Sequence, residues 1–244
     1  MQSLAKVSVS ATIALSVALG GCRKKVAITG ADAQNGAEGR ACPADMGMIS
    51  DGEANSNQIN PIQNRGGYWY TFVDEKGSNV TPQAGSEGGT FAMTAGVAQG
   101  SQFAAHMNGD IASGDPVYAG MGMNFVDPKG PYDASKYKGF SFWAKKGPGS
   151  TAKLRLKVPD ADTDPDGKVC TECFNDFGMD LTLTDDWAEY TIPFTALKQL
   201  RGWGSPHPSG VDPSHLYGLQ FQVNDSGQKF DIWLDTIAFT GCGG

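Results

Sequence analysis

The most constraining feature of this chain is a series of about ten short segments in which apolar and polar residues alternate, each bounded by clusters of Gly, Pro, Asn and Asp. They fall at 68–73, 90–95, 102–107, 120–125, 139–144, 153–158, 179–183, 187–194, 219–223 and 230–239. A period of two is what a half-buried strand requires, because successive side chains point to opposite faces. Helical periodicity is scarce, and the best candidate is a short one at 195–200. The 33 Gly and 13 Pro residues supply turns between the segments. The expected fold is all-β, an antiparallel β-sandwich of the jelly-roll kind, without internal repeats.

The alternation sorts side chains by face. Phe140, Phe142 and Ala144 oppose Ser141, Trp143 and Lys145; Leu154, Leu156 and Val158 oppose Arg155 and Lys157; Leu219, Phe221 and Val223 oppose Gln220 and Gln222. If the three strands share a sheet, their outer face gathers Trp143, Arg155, Gln220 and Gln222. These are an aromatic ring and planar polar groups, the chemistry that stacks on a sugar's C–H face and bonds its hydroxyls. Trp69 and Tyr70 are alternates on a strand whose orientation the pattern leaves open, and Trp187 and Trp203 fit either a loop rim or the core.

The last strand breaks its own period. Ile232 and Leu234 share one parity, Ile237 and Phe239 the other, so the register slips near Asp235 and Thr236 and a bulge is expected there. Near the other end of the chain, 49–55 is acidic and turn-rich. Terminal strands of antiparallel sandwiches often meet, which makes Asp235 and Glu53 candidate ligands of a structural calcium, with Asp51 or carbonyls adding oxygens. A second acidic stretch, 160–167, resembles part of a calcium loop but lacks the closing Glu and also reads as a solvated loop.

At the N-terminus, Lys6 precedes an apolar, small-residue run and then Leu19-Gly20-Gly21-Cys22. This has the form of a secretory signal, and the Cys after Leu-Gly-Gly resembles the bacterial lipobox. The resemblance implies cleavage before Cys22 and lipid on its sulfur. The expected organisation is a signal at 1–21, a lipidated Cys22 with a flexible tether to 45, and one domain at 46–244. The expected location is the bacterial cell envelope, at the outer membrane or cell surface, with Arg23, Lys24 and Lys25 beside the headgroups.

Four cysteines remain. In an oxidising compartment they should pair, and four allow three connectivities. Cys42 and Cys242 bracket the domain, and one bond between them would tie its ends, leaving Cys170 and Cys173 to close a small loop. Zinc is the competing reading of this C-x-x-C, but His106, His207 and His215 are scattered; a redox pair would want a βαβ context, which is absent. The net charge is −7, with no basic stripe carrying interleaved aromatics, which argues against nucleic acid as a partner.

Five segments in order carry a family resemblance: 49–53, 67–72, 137–145, 187–194 and 230–239. Together they resemble the galactose-binding-like jelly rolls, and especially the family 11 carbohydrate-binding modules and similar domains of exported bacterial lipoproteins. The resemblance implies a non-catalytic fold that binds a polysaccharide or other glycan, with a structural calcium near the termini. Its acidic residue near the start and its Asp on the last strand match Glu53 and Asp235. Ser50 and Gly52 depart from the family's usual Asp and bulky residue. No Gly-x-Ser-x-Gly and no His-Glu-x-x-His is present, so an enzyme such as a glycoside hydrolase is the weaker reading. The alternative to sugar binding is a structural or adhesion module that contacts another envelope protein.

Overall fold

A computed structural model describes residues 40–84, 91–96, 98 and 100–242. The expected signal at 1–21 and the lipidated Cys22 lie outside the described residues. Among the described residues eleven strands form, in chain order: β1 (Met48–Ser50), β2 (Trp69–Val73), β3 (Thr94–Ala95), β4 (Phe103–Asp110), β5 (Ala119–Asn124), β6 (Gly139–Lys146), β7 (Lys153–Val158), β8 (Phe177–Thr182), β9 (Ala188–Pro193), β10 (Gly218–Val223) and β11 (Lys229–Thr240). One sheet has the order β3-β4-β11-β6-β9, with β1 also on β11; the other has the order β2-β5-β10-β7-β8. All pairings are antiparallel. The fold is the expected two-sheet sandwich.

The core lies between the sheets and is built from the predicted faces. Phe140, Phe142 and Ala144 of β6, Leu156 and Val158 of β7, and Leu219, Phe221 and Val223 of β10 are all fully buried. Aromatic rings interlock: Phe142 meets Phe221 edge-on across the gap at 5.2 Å, and Tyr137 stacks on Phe239 at 4.2 Å. The expected helix at 195–200 is a single 3-10 turn at Phe194–Ala196. Pro193 lacks an N–H, and Leu197 already has extended backbone.

The terminal strands meet as expected. β1 pairs with β11, Met48 opposite Ala238 and Ser50 opposite Ile237. The other half of the same edge of β11 pairs with β4. The register slip falls between Asp235 and Ala238, with Thr236 in the left-handed region at φ 48°. Cys42 is bonded to Cys242, Cα–Cα 5.5 Å across 200 residues, and Cys170 to Cys173 at 5.1 Å. The domain starts earlier than residue 46. Ala41 bridges Thr240, Ala44–Gly47 forms a helical turn, and the buried guanidinium of Arg65 donates to the carbonyls of Met46 and Met48 at 3.0 and 2.7 Å. Residues 41–45 are therefore part of the fold and not of a tether.

Candidate functional site

The outer face of the five-stranded sheet is organised in two rows that cross all its strands. Register places Tyr70, Gly122, Gln220, Lys157 and Gly178 in one row. Phe72, Gly120, Gln222, Arg155 and Asp180 form the next. Each row runs from an aromatic ring, over a glycine, to a planar amide and then a cation. The glycines are required by the rings beside them. A Cβ at Gly120 would stand 2.3 Å from Phe72 Cζ, and one at Gly122 would stand 3.0 Å from Tyr70 Cζ. With no side chain at residues 120 and 122 of β5, the two rings lean across it.

The rows floor a cleft of about 590 Å³. Tyr70 and Phe72 stand on one side; Phe174, Leu200 and Trp203 stand at the rim of the other. The polar groups are held in place from within. Gln220 Nε2 donates to Tyr70 Oη at 3.1 Å, and burial pushes the Tyr70 phenol up to about 12. Arg155 donates from Nη1 to Asp180 Oδ1 and from Nη2 to the Lys198 carbonyl, both at 2.9 Å. Lys157 Nζ lies 2.9 Å from Asp176 Oδ2.

Three of the four residues expected to bind ligand, Arg155, Gln220 and Gln222, come together in this cleft. Trp143 does not. The expectation that β6 shares a sheet with β7 and β10 is wrong, because β6 is hydrogen-bonded between β11 and β9 in the other sheet. There Trp143 sits opposite Asp235 and Glu189 and is only 8% exposed. The neighbouring row of that sheet joins aromatic and basic groups to each other. His106 stacks on Trp233 at 3.8 Å, and Lys145 Nζ lies 5.2 Å from the Trp187 and Trp233 rings. The orientation of β2 is also decided: Trp69 is in the core, stacked on Phe91 at 5.2 Å, and Tyr70 faces the cleft. Reasoning from the sequence missed Phe72, Gly120, Gly122 and Phe174. The alternation of Gly120 and Gly122 with Met121 and Met123 was a usable signal for a bare outer face.

The second candidate centre lies at the β11 bulge. Asp235 is 3% exposed, accepts from the Ser101 hydroxyl, and is bonded to Thr236 Oγ1 at 3.1 Å. Burial raises its carboxyl above the ordinary range, and the charge of Glu53 adds to the effect. Glu53 Oε1 accepts from the Gln102 and Phe103 amides at 2.8 and 3.1 Å. Two acids from opposite ends of the domain are thus within electrostatic reach. Among the described residues no group of three or more His, Cys, Asp or Glu is placed to hold a metal. The 160–167 stretch is held together by its own hydrogen bonds. Buried Asp160 accepts from Thr163 Oγ1, the Asp162 amide and the Asp212 amide, while Asp164 and Asp166 pair with Lys129 at 2.7 and 3.0 Å.

No protein-family model matches the sequence, and no curated protein matches it. Solved structures do. A family 11 carbohydrate-binding module from Clostridium thermocellum, in complex with a β-1,3-1,4-mixed-linked tetrasaccharide, superposes with a TM-score of 0.55 at 18% identity, over 81% of this chain and 97% of that one. The family 11 module of the cellulosomal cellulase Lic26A-Cel5E of Clostridium thermocellum gives 0.56 at 15% identity, over 80% and 95%. At such identities the likeness establishes architecture, and the chain has the jelly-roll fold of the family 11 carbohydrate-binding modules.

Proposed function

We propose that the cleft of the five-stranded sheet binds a glycan chain without cleaving it. The carrying observation is the pair of in-register rows, which present aromatic rings, planar amides and a guanidinium along one open groove. Pyranose rings have an apolar C–H face for Tyr70 and Phe72 and equatorial hydroxyls for Gln220, Gln222 and Arg155. The tetrasaccharide complex of a module with this fold supports the reading. So does the state of the cleft carboxylates: of Asp115 and Asp176, the latter is committed to Lys157, where a glycosidase needs two acids free to trade protons with substrate. A glycan array on the whole mature protein, followed by titration calorimetry and an assay for released reducing ends, tests it. Saturable binding without turnover is expected; no binding to any glycan, or release of reducing ends, overturns it.

The same reading includes a structural calcium at Glu53 and Asp235. Asp235 is buried, and the charge of exposed Glu53 adds to the cost of ionising it, which a cation would relieve; both carry oxygen donors. The remaining oxygens of a calcium shell would come from carbonyls and hydroxyls of the opening loop and of Ser101. Calcium there would join the first turn of the domain to its last strand. It also includes a lipid anchor at Cys22 in the cell envelope, on the strength of the Leu19-Gly20-Gly21-Cys22 motif. Cys22→Ser should release the protein from the membrane fraction, since one acylated cysteine is the anchoring device the sequence offers.

A further inference from the structure

Phe174 has two properties that the fold does not need. It is a bulky residue in the left-handed region, at φ 72°, and it is 59% exposed. Such a backbone conformation is unfavourable for an aromatic residue, and an exposed ring returns no core packing for it. Among the described residues, the exposed large apolar side chains are Val169, Phe174, Leu200 and Trp203. All four come from one pair of loops, and three of them line the cleft.

Both loops are locked to each other. The Cys170–Cys173 bond closes the turn immediately before Phe174, whose own amide donates to the Thr163 carbonyl at 2.9 Å. The next residue, Asn175, is 2% exposed and donates to the Leu200 and Trp203 carbonyls at 2.8 and 2.6 Å. Glu172 and Ser205 exchange backbone bonds, and Glu172 Oε2 accepts from the Gly204 amide at 2.9 Å. Trp203 is lifted out between two glycines of positive φ, Gly202 at 91° and Gly204 at 86°. A Cβ at Gly204 would stand 2.5 Å from Asn175 Cβ, so the close approach of the loops depends on that glycine. The backbones that carry the two exposed rings are thus fixed to each other, beside a cleft, by one disulfide and the side chains of Asn175 and Glu172.

The charges of the cleft point to the kind of sugar. Arg155 is taken by Asp180 and Lys157 by Asp176, each at 2.9 Å. Asp115 adds a further negative charge to the lining. A carboxylate or sulfate on the ligand meets no unpaired cation here and would have to displace an internal partner.

We infer that Phe174 and Trp203, clamped by Cys170–Cys173 and Asn175, form an aromatic rim that stacks on the C–H face of an uncharged sugar ring and so determines which glycans the cleft holds. This rests on the glycan-binding reading above, and it adds the rim, its clamp and the ligand's charge class.

The test uses the whole mature protein and three probes: mixed-linkage glucan oligosaccharides, alginate oligosaccharides and sulfated carrageenan oligosaccharides. Neutral glucan should bind, and the carboxylated and sulfated probes should bind at least about ten-fold more weakly, one unpaired buried charge being worth that or more. Phe174→Ala and Trp203→Ala should each weaken neutral binding about ten-fold, as loss of one stacked ring does, and Phe174→Tyr should restore it. The double variant Cys170→Ser/Cys173→Ser should weaken binding as Phe174→Ala does, and adding it to Phe174→Ala should cost little more, since both remove one element. Gln222→Ala serves as the control for the cleft floor. Wild-type affinity in Phe174→Ala and Trp203→Ala, with binding lost in Gln222→Ala, overturns the rim and leaves the glycan-binding reading standing. Tighter binding of the anionic probes overturns the charge class. Binding of none of the three probes, with no glycan bound on the array either, overturns both readings together.

Discussion

The ring of Tyr70 leans over Gly122, so that a side chain on residue 122 would begin 3.0 Å from the Tyr70 ring and hydroxyl. Buried Gly122 thus lets the Tyr70 ring lie over β5 and reach Gln220, to which it is joined by a 3.1 Å hydrogen bond. A ligand lying in the groove meets the Tyr70 ring and the Gln220 amide side by side. None of this involves a residue that looks reactive in the sequence.

The first prediction tests that arrangement. Gly122→Ala and Gly120→Ala should both reduce glycan affinity although neither removes a ligand-contacting group, because each new methyl pushes a ring. Gly120→Ala should be the more damaging, since its Cβ would stand 2.3 Å from Phe72 and 2.6 Å from the Phe221 carbonyl, against 3.0 Å from Tyr70 and 2.8 Å from the Leu219 carbonyl at Gly122. Its stability should fall by about 1–3 kcal/mol, as for overpacking. Titration alongside urea unfolding separates the two effects. Unchanged affinity in both variants would remove the rings of Tyr70 and Phe72 from the binding surface.

Trp143 should behave as a packing residue. Trp143→Ala removes a ring that is 8% exposed and should cost about 3 kcal/mol of stability. Glycan affinity at a temperature where the variant is folded should stay within two-fold of wild type, by about the scatter of distant sites. Loss of binding in folded Trp143→Ala would move the ligand to the six-stranded sheet.

The bond between Cys42 and Cys242 should matter for stability more than the one at the rim. In the chain-entropy model, closing a loop of 200 residues stabilises by about 5 kcal/mol and closing the four-residue loop by about 2. Cys42→Ser/Cys242→Ser should therefore lower the urea midpoint more than Cys170→Ser/Cys173→Ser, while only the second pair affects glycan affinity. The reverse order in unfolding would point to strain that outweighs entropy.

Stability should fall as pH rises between about 4 and 6. Burial pushes Asp160 up to about 6, and Asp235 is raised for the same first reason. A carboxyl whose folded pKa lies above its unfolded value contributes stability that is complete below the unfolded value and is lost as pH passes the folded one. For fully buried Asp160 the loss is of the order of 3 kcal/mol. Asp74, Asp133, Asp212 and Asp225 are lowered, so their opposite contributions end below about pH 4 and leave this window clear. Urea midpoints at half-unit steps should decline across it, and Asp160→Asn should flatten most of the decline whatever its absolute stability. A flat wild-type profile would mean that the three donors around Asp160 outweigh its burial.

Calcium should raise the melting temperature of wild type and not of Asp235→Asn, by mass action on a site present in the folded state alone. The gain should shrink towards pH 4, where protons compete for the raised Asp235 carboxyl. An equal response in the two proteins would leave Glu53 and Asp235 as an ordinary hydrogen-bonded pair of acids.

The alternation of residues was enough to place every strand but β1, to choose the face that packs in the core, and to locate the bulge at Asp235, because each depends on the two-residue period of a single segment. Cysteine number and position likewise anticipated both disulfides. What the alternation does not contain is which strand lies beside which. Trp143 and Arg155 have the same outward sense on their own strands, yet β6 and β7 belong to different sheets, and the two residues face away from each other across the whole core. Strand pairing is settled by contacts between distant segments, such as β10 against β5 and β7, and by the packing of the two inner faces. The rim was hidden for the same reason. Phe174 and Trp203 acquire a role only when Asn175 and Glu172 draw two loops together, and neither loop carries a period that announces it.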